Sequence, residues 1–182
     1  MLMTTYYTLD RTAQCHPGQT FTHQITSPND WLRDDNGILM QFPVSRHGNH
    51  YLNSSLVNNA NSTSVAIEFI FELIRRHHFP HKTTRFCCMF ASDSIESAEN
   101  FRRTTNWNSP YKIFELEYEG QVHRGDMNLL NITGNMWQVE RNAMSYWCSE
   151  TYELRPGYQP YWEILIPLPV QLGNVVAQSL PK

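Results

Sequence analysis

The sequence predicts an α+β domain with small, mostly antiparallel sheets, and three observations carry that prediction. Strand-like stretches at 4–10, 84–91, 111–118 and 160–167 are interrupted by helix-like stretches at 64–78, 93–103 and 136–147. That order, with a long loop after the first strand, lacks the regular alternation of a doubly wound parallel sheet. Neither G-x-G-x-x-G nor G-x-x-x-x-G-K-[ST] occurs, so nucleotide binding through those phosphate loops has no support. The 182 residues are 41% hydrophobic and show no repeat or compositional break, which predicts one domain over 1–182 with a single sizeable core.

Each element has a local reason. Residues 4–10 are β-branched and aromatic, as strands favour. A second extended piece is expected at 20–23, after the His16-Pro17-Gly18 turn. Residues 27–61 read as loop, with a helical turn at 30–32 or 52–56, and are too long to be mere connection. The helix at 64–78 is capped by Ser64 and places Ile67, Ile70, Phe71 and Ile74 on one face. Its basic end, Arg75 to His78, suits the negative helix terminus, and Pro80 stops it. The His77, His78 and His81 group therefore reads as a helix end and a solvated turn, not a metal site.

Residues 84–91 read as a buried strand, and Asp93 with Glu96 has the spacing of a capping box for a helix to about 103. The alternation across 111–118 predicts a strand, with a short return at 121–123. The triplet Arg124-Gly125-Asp126 reads as a loop, not an adhesion motif. A helix over 136–147 groups Trp137, Glu140, Met144 and Trp147, and a weakly signalled strand spans 170–176.

The formal charge of −3 and the absence of a basic block argue against a broad phosphate-binding footprint. Aromatic residues make up 13% of the chain, which argues against disorder. The adjacent Cys87 and Cys88 make a poor disulfide framework, so a reduced, cytoplasmic setting is expected. No secretory leader and no membrane span are evident in the sequence.

The stretch 160–167 carries the sharpest chemical question, because Glu163 lies inside a short apolar run between Pro160 and Pro167. A buried carboxylate is costly unless it is paired or used. Glu163 is thus either catalytic or the outward-facing residue of an edge strand. Arg85 has two readings as well: contact with a ligand's phosphates or the acceptor, or an ion pair with Glu68 or Glu72. Asp126 either binds a ribose or acceptor, or caps the following turn. Tyr146 and Trp147 read as core packing or the floor of a cleft, and Cys87 and Cys88 as small core residues.

Three segments together resemble ADP-ribosyltransferases of the poly(ADP-ribose) polymerase and diphtheria-toxin kind. Met89-Phe90-Ala91-Ser92-Asp93 with Ser97-Ala98-Glu99-Asn100-Phe101 resembles the second signature of that family. Glu163-Ile164-Leu165-Ile166 resembles the third, and Tyr6-Tyr7-Thr8-Leu9-Asp10-Arg11 stands where the first belongs. Glu68-Phe69-Ile70-Phe71-Glu72, Phe79-Pro80, Arg85, Asp126-Met127 and Tyr146-Trp147 further resemble a bacterial and phage domain of unknown function grouped with that fold.

The resemblance implies an ADP-ribosyltransferase-like split β-sandwich with flanking helices, holding NAD as substrate in the cleft between two small sheets. It implies Glu163 as catalytic acid and Tyr7, Thr8, Arg11, Arg85, Met89 and Ser92 as NAD-binding residues, with no metal. Met89 stands where the family has a tyrosine stacked on nicotinamide, and Thr8 where it has a histidine or arginine. Tyr161, two positions before Glu163, occupies the place of the Glu or Gln found in arginine-modifying transferases, which points away from arginine as acceptor. The implied partners are a protein or nucleic-acid acceptor and an antitoxin or chaperone, in a toxin, defence or phage setting. The alternative is an inactive module of the same fold that binds a nucleotide or a protein.

Overall fold

The computed structural model describes residues 3–26, 42–54, 62–105, 109–151 and 156–179. In chain order the elements are β1 (Thr4–Asp10), β2 (Thr20–Phe21), β3 (Gln24–Thr26), β4 (Phe42–Val44), α1 (Arg46–Leu52) and α2 (Ser62–His78). There follow β5 (Cys88–Ala91), α3 (Ile95–Thr104), β6 (Tyr111–Tyr118), β7 (His123–Asp126) and α4 (Met136–Cys148). The chain closes with β8 (Trp162–Pro167), β9 (Val170–Gln171) and β10 (Val175–Ser179).

The expected α+β class with small antiparallel sheets is what forms. One three-stranded sheet has the order β1-β6-β10 and the other β5-β8-β7, with two-stranded pairs β2-β9 and β3-β4. The large sheets are joined where Tyr7 and Ser92 exchange backbone hydrogen bonds of 2.9 and 2.8 Å. Ala91, Ile164 and Ile166 from one sheet pack against Phe114 and Leu116 from the other. On its far face the β5-β8-β7 sheet is covered by α2 and α4 through Phe71, Leu165, Ala143, Tyr146 and Trp147. Trp147 Nε1 donates to the Phe71 carbonyl at 2.9 Å, tying those two helices. Against the first sheet, α3 contributes Ala98, which meets Tyr111 and Ile113.

Several local expectations are corrected. The helix expected from 64 starts at Ser62, so Ser64 lies in its first turn. Its fully buried positions are Val65, Glu68, Phe71, Glu72 and Arg75, so three of the five carry charge. The strand expected over 84–91 is a 3-10 turn at Arg85–Cys87 followed by a strand of four residues. Thr84 caps that turn, its hydroxyl accepting from Phe86 N at 3.2 Å, which directs Arg85 into the interior. Ser94 caps α3 in place of Asp93, accepting from Ser97 N at 3.1 Å. Asp93 instead accepts from the Ser97 hydroxyl and pairs with Arg124 at 3.5 Å.

The return expected at 121–123 and the loop expected at 124–126 are replaced by β7, which pairs with β8. In α4 an Asn135–Gln138 capping box starts the helix, but its buried face is Asn142, Ala143, Tyr146 and Trp147, leaving Trp137 79% exposed. The strand expected at 170–176 is two strands, β9 and β10. The helical turn expected at 30–32 lies outside the described residues. That at 52–56 is replaced, up to residue 54, by the end of α1 and a turn.

Candidate functional site

The site is organised by β8, the central strand of its sheet, which rules out the edge-strand placement for Glu163. Alternation sends Ile164 and Ile166 toward the first sheet, and Glu163 and Leu165 toward α2 and α4. Gly125 lies directly across from Glu163 on β7. A Cβ on Gly125 would fall within the Tyr146 ring, so the missing side chain is what lets that ring sit over the strand. The Tyr146 hydroxyl then donates to Glu163 Oε1 at 2.8 Å.

Arg85 completes a buried cluster. Its Nε and Nη2 donate to the two oxygens of Glu68, each at 2.9 Å, in a fork that suits a planar guanidinium. Its Nη1 donates to the Tyr146 hydroxyl at 2.8 Å and also contacts Glu163 Oε1. The ion-pair reading of Arg85 is therefore realised with Glu68 and Glu163, while Glu72 pairs with Arg75 and Arg76. Burial works against each of these charges. For Glu68 the burial penalty is outweighed by the Arg85 charge and by contacts to His47 and Arg85, and its pKa falls to about 2. For Arg85 the penalty is outweighed by Glu163, Tyr146 and Glu68, which hold it firmly cationic. Tyr146 is pushed well up, by burial first and by Glu163 next, so it stays a neutral donor.

Glu163 itself is 5% exposed, and both of its hydrogen bonds fall on Oε1. Among the described residues no donor meets Oε2. One carboxylate oxygen is thus anchored twice, and the described residues leave the other unheld.

A cavity of about 860 Å³ borders this cluster and follows the split between β1 and β5. All seven residues singled out from the sequence line it: Tyr7, Thr8, Arg11, Arg85, Met89, Ser92 and Glu163. They do not play equal parts. Thr8 is buried and its hydroxyl donates to the Phe90 carbonyl at 2.8 Å, with Met89 Sδ 3.5 Å away, so it helps close one end of the split. Met89 pairs in register with Ile166, and so leaves the sheet on the face opposite Glu163. Tyr7 and Ser92 hold the sheets together through their backbones. Arg11 is exposed at the rim, its guanidinium 5.8 Å from the centre of the Phe101 ring.

Asp126 is fully buried and caps the Met127–Leu129 turn through Asn128 N. It also accepts from Tyr161 N at 2.8 Å, Thr151 Oγ1 at 2.6 Å and the Tyr158 hydroxyl. These bonds fix the approach of the chain into β8 and leave Asp126 no exposed surface for an acceptor. The sequence reading missed Glu68 as a wall of the site, along with His47 and Tyr51, which line the same cavity from α1. The spacing of Glu68 and Glu72 on one helix is visible in the sequence, but nothing local says that both acids face inward or that Glu68 is the one at the cavity.

Burial pushes the Cys87 and Cys88 thiols up, and burial followed by Asp10 raises Cys15 to about 11. All four cysteines are free. Among the described residues no cluster of three or more His, Cys, Asp or Glu is arranged to hold a metal, and no helix is long and apolar enough to cross a membrane.

Residues 6–177 match the family described as a protein of unknown function, DUF2441. The chain belongs to the DUF2441 family. The match runs from β1 into β10 and so takes in every strand around the cavity of this DUF2441 protein. No curated protein matches the chain.

Proposed function

We propose that this DUF2441 protein is an NAD-dependent mono-ADP-ribosyltransferase that breaks the nicotinamide–ribose bond and passes ADP-ribose to a protein or nucleic-acid acceptor. The observation that carries this reading is Glu163, a cavity-lining residue whose Oε1 is anchored by Arg85 and Tyr146 while Oε2 meets no donor among the described residues. Cleavage of the glycosidic bond builds positive charge on the ribose, as in glycoside hydrolysis. A preorganised carboxylate stabilises that charge more than it stabilises the ground state.

Further support comes from the shared cavity of the seven residues, and from its volume, which falls in the usual range of about 300–1,000 Å³ for small-molecule sites. The ADP-ribosyltransferase-like split β-sandwich is part of the same proposal. Two three-stranded sheets bridged at Tyr7 and Ser92 support it.

The test is Glu163→Gln, which keeps shape and removes charge. Nicotinamide release from NAD is expected to fall by a factor of about 10² to 10³. Full turnover in that variant would overturn the assignment.

A second reading, an inactive module that binds a nucleotide or protein, is favoured by one observation: Arg85 already neutralises Glu163. Calorimetry with NAD separates the two readings, since a module binds NAD without releasing nicotinamide.

A further inference from the structure

Chemistry at Glu163 explains how the nicotinamide bond breaks, but the acceptor must also lose a proton. Two cavity residues outside that scheme supply the group. His47, on α1, places Nε2 3.2 Å from Glu68 Oε1, while Glu68 is clamped from the other side by Arg85. The imidazole packs against Tyr51 and Phe90 with ring centres 4.6 Å apart in each case. Its side chain remains 26% exposed, and it lines the cavity that Glu163 borders.

A carboxylate facing one ring nitrogen keeps the proton of neutral imidazole there and leaves a lone pair on the other. Nε2 is buried and faces the Glu68 carboxylate at 3.2 Å without the alignment of a hydrogen bond, which leaves Nδ1 as the nitrogen for a ligand. Among the described residues, Glu68 on α2 and Tyr51 on α1 contact the ring, and Arg46 and His50 on α1 and Arg85 in the turn before β5 line the same cavity.

We propose that His47, oriented by Glu68, is the general base that takes the proton of a hydroxyl acceptor in this cavity. This rests on the transferase reading above and deepens it, because it names the acceptor's chemical class. In the step, the C–N bond to nicotinamide breaks with its electron pair going to the nicotinamide nitrogen. The acceptor oxygen forms a bond to the anomeric carbon, and its proton passes to His47 Nδ1 and then to solvent. The balance is NAD⁺ plus ROH giving ADP-ribosyl-OR, nicotinamide and H⁺. A carboxylate acceptor would arrive without a proton and would need no such base. A hydroxyl needs one.

The experiment uses the full chain with NAD, and methanol as the probe acceptor. Methyl ADP-riboside, free ADP-ribose and nicotinamide are separated by chromatography. His47→Gln is expected to slow kcat for both methanol and water capture by about 10²-fold or more, the usual worth of a general base, with KM for NAD unchanged. Added imidazole should restore turnover to His47→Ala. Wild-type turnover in His47→Gln, alongside an inactive Glu163→Gln, would overturn the base and leave the transferase standing. A rise in KM in His47→Ala with no imidazole rescue would also overturn it, by making His47 a binding or structural residue. Failure of the wild-type chain to release nicotinamide brings down the transferase reading, and the base with it.

Discussion

Arg85→Met tests the charged cluster most directly, because it removes one cation from between two buried carboxylates. Deleting one partner of a buried ion pair costs about 3–5 kcal/mol, since the remaining charge is stranded. The lowered pKa of Glu68 leads to a similar figure. Burial alone would raise its pKa, yet Arg85 first and His47 next bring it from 4.5 to about 2. At about 1.4 kcal/mol per pH unit, that depression amounts to about 3 kcal/mol of stability. Because the folded-state pKa is lowered, this stability is fully present above pH 4.5 and is lost as pH falls toward 2.

In Arg85→Met the main counter-charge is gone, and burial favours protonated Glu68, so acid should relieve the variant while it weakens the wild type. Urea unfolding followed by tryptophan fluorescence reads both effects. With a slope of about 1–3 kcal/mol per molar urea, the midpoint at pH 7 should drop by about 1–3 M. The gap to wild type should then narrow between pH 5 and pH 3. A loss below about 1 kcal/mol, the worth of an exposed pair, would refute the buried-cluster argument, as would a gap that does not close on acidification.

Two other substitutions probe how Glu163 is held. Gly125→Ala places a methyl group inside the Tyr146 ring, and such overpacking costs about 1–3 kcal/mol. The displaced ring should show as altered near-ultraviolet dichroism, and an unchanged spectrum and stability would mean the ring moves freely. Asp126→Ala removes the buried acceptor of the Tyr161 and Asn128 amides and of the Thr151 and Tyr158 hydroxyls, at about 0.5–1.5 kcal/mol for each hydrogen bond lost. Its thermal unfolding should shift well below wild type, and a shift within experimental error would remove Asp126 from the frame of β8.

Local pattern was enough wherever an element answers to its own residues. The alternation of 111–118 became β6 residue for residue, and the helix expected at 136–147 ends one residue later. Glu163 stood out in the sequence because an acid in an apolar run needs a reason, and in the structure it is buried on a central strand. Pattern failed where distant partners decide. The spacing groups Trp137 with Trp147, yet only Trp147 is buried, because the face that packs is set by where His123 and Phe71 lie. Arg124-Gly125-Asp126 has poor strand propensity and pairs with β8 all the same, because Gly125 makes room for Tyr146.

The sequence by itself determined the class of fold, most of the elements, and that Glu163 is an acid set within an apolar strand. Only the tertiary structure decided that Glu68, Arg85, Tyr146 and Glu163 form one buried cluster, and that His47 joins its edge. Helical and strand periodicities report which residues share a face, and a charged residue on a face reads as facing water. Glu68 and Arg85 are 17 residues apart, and Arg85 and Glu163 are 78 apart. Their burial is favourable only once the partners meet, so no window of local sequence contains the reason for it.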